Sequence, residues 1–81
     1  MARRTYSGRE IIKALREWNF RKAGQTGSHV KLRYKNPNTG EVRTVTVPLH
    51  DEIATGTLRD IAEQAGAKDF QAFLDEIEKL V

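Results

Sequence analysis

The run His29-Val30-Lys31-Leu32-Arg33-Tyr34 alternates polar and apolar residues without a break, and this period of two constrains the fold more than any other feature. Successive side chains on a strand point to opposite faces. Val30, Leu32 and Tyr34 are therefore predicted to meet a core, while His29, Lys31 and Arg33 face away. A strand buried on one face only belongs in an antiparallel sheet with one covered side.

The flanking segments supply the rest of such a sheet and its cover. Ser7-Gly8-Arg9-Glu10 fits a capping box, and Ile11, Ile12, Leu15 and Trp18 follow at helical spacing, predicting a helix from about Gly8 to Trp18. Asn19 stops it. Phe20-Arg21-Lys22-Ala23 reads as a short strand that ends where Gly24-Gln25-Thr26-Gly27 supplies turn residues. Asn36-Pro37-Asn38-Thr39-Gly40 is a turn, and the β-branched stretch Val42 to Val47 is a strand closed by Pro48. Leu58, Ile61, Ala62 and Ala65 form a helical stripe that stops at Gly66. Asp69 caps a last helix with Phe70, Phe73, Leu74, Ile77 and Leu80 inward. The predicted class is α+β, in the order α-β-β-β-α-α: a three-stranded antiparallel sheet with helices on one face. Trp18 and Tyr34 lie on apolar stripes and read as core rather than as platforms for stacking bases, and Phe20 lies beside them.

At 81 residues, 1–81 read as a single domain with room for a surface site rather than a deep cofactor pocket. The chain has no cysteine, which removes disulfides, thiolate nucleophiles and Cys-type metal sites and suits a reducing cytoplasm. The start Met1-Ala2-Arg3-Arg4-Thr5-Tyr6 is basic, but a capped helix follows it and no apolar run approaches spanning length. The expectation is a chain neither exported by that segment nor embedded in a membrane. The net charge of +3 conceals an asymmetry: residues 1–35 carry ten Lys and Arg against two acids, and residues 36–81 four against nine. A basic half on a small protein favours a polyanion, because its cations displace the counterions condensed on nucleic acid.

The chemistry that fits is RNA cleavage. RNA carries its own nucleophile, the 2′-hydroxyl, so the protein must take that proton, protonate the leaving oxygen and surround the phosphorane with positive charge. His29 suits proton transfer, since imidazole populates both protonation states near neutrality. Lys31, Arg33, Arg21 and Lys22 supply charge, and the turn Gly27-Ser28 offers backbone N–H groups to an anion. His50, after Pro48-Leu49, either touches substrate or makes a local turn with Asp51. A His29/His50 metal site lacks an obvious third ligand, so neither metal nor cofactor is expected. The carboxylates form no spaced catalytic pair.

Four blocks in order, Ser7-Gly8-Arg9-Glu10-Ile11-Ile12-Lys13, Gly27-Ser28-His29, Val45-Thr46-Val47-Pro48-Leu49-His50 and Gly56-Thr57-Leu58-Arg59-Asp60-Ile61-Ala62-Glu63-Gln64-Ala65-Gly66, resemble the HicA (YcfA-like) mRNA interferase toxin family. The resemblance implies a double-stranded-RNA-binding-domain-like αβββα fold and metal-independent cleavage of mRNA. It also implies a catalytic histidine at His29, with Gly27 and Ser28 before it, and a HicB-type antitoxin that covers the site. Two departures stand out. Val30 replaces the second histidine or polar residue that many members carry there, and the hairpin from Lys35 to Glu41 is somewhat long.

A non-catalytic RNA-binding module of the same fold is the principal alternative. It expects a lysine cluster opening the second helix, where Thr57-Leu58-Arg59-Asp60 offers one cation and one acid, and it leaves His29 unexplained. A protein-binding regulator without RNA activity is the third reading, resting on the acidic half and Val30.

Overall fold

The computed structural model describes residues 5–81; the basic Arg3-Arg4 pair lies outside the described residues. Six elements follow in the order α1 (Gly8–Glu17), β1 (Arg21–Thr26), β2 (His29–Lys35), β3 (Val42–Pro48), α2 (Thr55–Ala65) and α3 (Phe70–Leu80). The strands form one antiparallel sheet in the order β1-β2-β3. The fold is α+β, with the double-stranded-RNA-binding-domain-like αβββα arrangement followed by a C-terminal helix.

Local chemistry explains the boundaries. Ser7 Oγ accepts from the Glu10 N–H at 3.2 Å and Glu10 Oε1 accepts from the Ser7 N–H at 2.9 Å, so the capping box forms in both directions. Helix α1 is terminated just past its C-cap Trp18 by Asn19, whose φ of 72° is left-handed. The N–H groups of Asn19 and Phe20 there reach back to the carbonyls of Arg16 and Leu15. These are the two bonds of a Schellman motif. Helix α2 ends the same way on Gly66, with bonds from Gly66 to Glu63 and from Ala67 to Ala62. Asp69 Oδ1 caps α3 by accepting from the Gln71 N–H.

Two boundaries differ from the sequence expectation. Phe20 belongs to the α1 cap rather than to a strand, and β1 continues through Gly24 to Thr26 because a bulge between Lys22 and Gly24 absorbs an extra residue. The turn is therefore Gly27-Ser28 alone. Helix α2 starts at Thr55, ahead of the apolar stripe, on an Ala54 that lends no side-chain cap.

The core lies between the sheet and the helices. Val30 and Leu32 of β2 and Val45 and Val47 of β3 point into it, against Ile11, Ala14 and Leu15 of α1, Leu58 and Ile61 of α2, and Phe73 and Ile77 of α3. The alternation in β2 is realised residue by residue, with Val30 and Leu32 buried and His29, Lys31 and Arg33 exposed. Phe20 is buried, and Trp18 and Tyr34 are half-buried against the same core. Among the described residues, no helix is long and apolar enough to cross a membrane.

Candidate functional site

His29 is the first residue of β2, exposed, and paired across the sheet with Thr26 on one side and Pro48 on the other. The two-residue turn before it carries positive φ (58°) at Gly27 and not at Ser28, the sign pattern of a hairpin turn with glycine at its first central position. A Cβ on Gly27 would meet nothing within 4 Å, so the backbone here is open to an approaching group.

Three chain segments meet at this end of the sheet. The Leu49 N–H donates to the Ser28 carbonyl at 2.7 Å, extending the β2–β3 ladder past Pro48. The Gly8 N–H donates to the His50 carbonyl at 2.9 Å, and the Ile53 N–H to the Tyr6 carbonyl at 2.9 Å. The start of α1 thus lies directly on the end of β3. Gly8 is required there, because a Cβ would come within 2.0 Å of the Pro48 carbonyl oxygen. Sequence reasoning assigned Gly8 only to a helix start and missed this contact, which no local signal encodes. Helix α2 opens at Thr55, two residues past Ile53. The first three sequence blocks therefore come together at one corner around His29 and His50, whereas the fourth runs along α2 to Gly66, which lies against Arg43.

From that corner a cationic line runs along the open face of β2: His29, Lys31, Arg33 and Lys35 are all exposed. Alternate residues on a strand lie about 6.8 Å apart, so the line offers evenly spaced positive charge. Across the sheet Lys31 faces Thr46, Arg33 faces Thr44 and Arg21, and Lys35 faces Val42. None of the three strands contains an acid. The side chains of His29, Lys31, Arg33, Lys35 and His50 take no hydrogen bond or ion pair from the other described residues.

The register separates two residues that sequence reasoning grouped. Arg21 pairs with Arg33 on the open face, whereas Lys22 pairs with Leu32 and so stands on the helix side of the edge strand. There Lys22 Nζ donates to Gln25 Oε1 at 2.8 Å, and Gln25 itself pairs with Val30. The bulge places both on that side. Arg21, Lys22, Arg33 and Lys35 still line one groove of about 730 Å³ around the strand edge. Lys35 escaped the sequence reading, though carrying the alternation one residue further reaches it.

The remaining features of the surface lie elsewhere. A mostly apolar cavity of about 460 Å³ sits at the opposite end, walled by Trp18, Phe20, Tyr34 and Phe73. Arg43 on its rim is engaged with Glu41 at 3.0 Å. Arg59, the cation opening α2, lies over the Phe70 ring at 4.4 Å. Among the described residues no three His, Asp or Glu side chains gather as metal ligands.

Comparison with known proteins returns no match among curated proteins and none among solved structures. Residues 8–67 match the family model described as the HicA toxin of bacterial toxin-antitoxin.

Proposed function

Because this chain belongs to the HicA toxin family, and so has the role of toxin in a bacterial toxin-antitoxin system, we propose that it acts as a metal-independent endoribonuclease on mRNA with His29 as its catalytic residue. The observation that carries this reading is the placement of His29 at the end of a cationic, acid-free sheet face. A phosphodiester laid along that face has its reacting phosphate at the imidazole, while Lys31 and Arg33 hold the phosphates that follow. His29 takes the 2′-hydroxyl proton, the 2′ oxygen attacks phosphorus, and the P–O5′ bond breaks to leave a 2′,3′-cyclic phosphate. The Gly27-Ser28 turn directly precedes His29 and is open, so its backbone N–H groups can contact the same phosphate.

The toxin works in the cytoplasm as one domain over 1–81, either as a monomer or in a hetero-oligomer with a HicB-type antitoxin. An antitoxin with an acidic surface competes with RNA for the face around Lys31 and Arg33, which makes its affinity sensitive to salt.

The test is cleavage of a defined single-stranded RNA, in EDTA, by wild type and by His29→Ala. Fragments from wild type alone are expected. RNA shifted by both proteins and cut by neither would instead identify a binding module. Against that alternative stands Arg59, which packs on Phe70 rather than lying free at the start of α2.

A further inference from the structure

We infer that His50 is the second proton carrier of the reaction, the general acid that protonates the leaving 5′ oxygen; this rests on the ribonuclease reading above. Cleavage by the 2′-hydroxyl moves two protons at opposite sides of phosphorus, one off the nucleophile and one onto the leaving group. With Val30 next to it, His29 has no adjacent histidine to share the work.

The fold supplies the partner from the neighbouring strand. His29 pairs with Pro48, and the Leu49-to-Ser28 bond keeps the two chains in register beyond that pair. Cross-strand partners lie about 5 Å apart and alternate residues about 6.8 Å, which sets the Cα atoms of His29 and His50 on the order of 8 Å apart. Leu49, just past the end of β3, packs against the core, while His50 after it and His29 across from Pro48 are both exposed. Two imidazoles so spaced can flank one phosphate.

His50 is also held in place without its ring being used. Its carbonyl accepts from the Gly8 N–H, so the backbone is fixed while the imidazole has no hydrogen-bond partner among the described residues. The alternative role, a turn made with Asp51, has no side-chain hydrogen bond to support it among the described residues. The charged residues nearest this corner along the chain are Arg9 and Glu10 at the start of α1, Lys31 near the start of β2, and Asp51 and Glu52 just after His50; Glu10 is committed to its capping bond.

The step balances without another reactant. The 2′-hydroxyl proton passes to neutral His29 as the P–O2′ bond forms; the P–O5′ bond breaks, and the His50 imidazolium gives its proton to O5′. Solvent then restores both rings.

The experiment uses the full chain, in EDTA, on an RNA whose cut site has been mapped with wild type, and on the same RNA with sulfur replacing the bridging 5′ oxygen at that site. A thiolate leaves without protonation. His50→Gln is expected to slow cleavage of ordinary RNA on the order of 10²- to 10³-fold. It should approach wild-type rate on the sulfur-bridged RNA and lose one limb of the pH–rate profile, while His29→Gln stays slow on both. Wild-type rate for His50→Gln on ordinary RNA, equal slowing on both substrates, or rescue of His29→Gln instead would each overturn the assignment. Failure of wild type to give any cut site to map would remove the ribonuclease reading itself. Circular dichroism of His50→Gln separates misfolding from chemistry, since the substitution leaves the carbonyl bonded by Gly8 in place.

Discussion

Arg21 and Arg33 face one another across β1 and β2, an arrangement that costs stability because like charges directly opposite on a sheet repel. Among the described residues, neither is paired with a carboxylate. An anion between them would relieve the repulsion, so the pair makes sense as a phosphate contact. Replacing Arg33 with threonine should therefore have opposite effects on two measurements. Denaturant unfolding should show a gain of roughly 0.2–1 kcal/mol, while the slope of log affinity for RNA against log salt falls by about one. A loss of stability with unchanged RNA binding would place the phosphate elsewhere. At this same scale, the exposed position of His29 was legible because alternation set its face. The face of Lys22 was not legible. It depends on a bulge at Ala23-Gly24 that has no signature in RKAGQT beyond a glycine, and that glycine reads equally well as a turn.

At the scale of elements, the segments with strong periodicity and caps emerged as expected: α1 with its capping box, β2 with its alternation and α3 with Asp69. The boundaries that shifted were those decided by pairing with distant residues. Strand β1 extends because β2 offers partners as far as His29, and α2 begins early because Ile53 is anchored on Tyr6. The seating of α1 on β3 is the least legible contact and the most demanding one. Gly8→Ala would ordinarily strengthen a helix by up to about 1 kcal/mol. Here its Cβ meets the Pro48 carbonyl at 2.0 Å, so a net loss of about 1–3 kcal/mol is expected in thermal or denaturant unfolding. Gly24→Ala serves as the comparison, because nothing lies within 4 Å of its Cβ position. Equal tolerance of both substitutions would mean that α1 does not rest on Pro48. Cleavage should fall further than stability in Gly8→Ala, since the same contact fixes His50.

For the whole molecule, the charge asymmetry of the sequence becomes a division between surfaces. The strands hold no acids, and the acids of the second half lie mainly on α2, α3 and the loop before α2. Helix α3 lies beyond the residues that match the family model, yet it completes the core: Phe73 and Ile77 are buried, and Tyr6 Oη donates to Glu78. Phe73 also packs on Trp18, with ring centroids 5.7 Å apart. Phe73→Ala should cost about 3–5 kcal/mol, a large share of the stability of a domain this small. Trp18 is the sole tryptophan, so its fluorescence reports this seam directly during unfolding. A loss below about 1 kcal/mol would show α3 to be an appendage rather than part of the core.

The length of β2 has a further consequence. His29 stands at one end of this strand, and the turn from Asn36 to Gly40 lies just past the other, roughly 20 Å away for seven residues of extended chain. The turn closes on itself through its own bonds, Asn36 N–H to Glu41 and Gly40 N–H to Asn36, and so makes no demand on the corner that holds the histidines. Insertions, tags or evolutionary drift at the turn would be kept a fixed distance from His29. The strand acts as a spacer, leaving one end of the protein free to diversify while the other stays fixed by its backbone bonds.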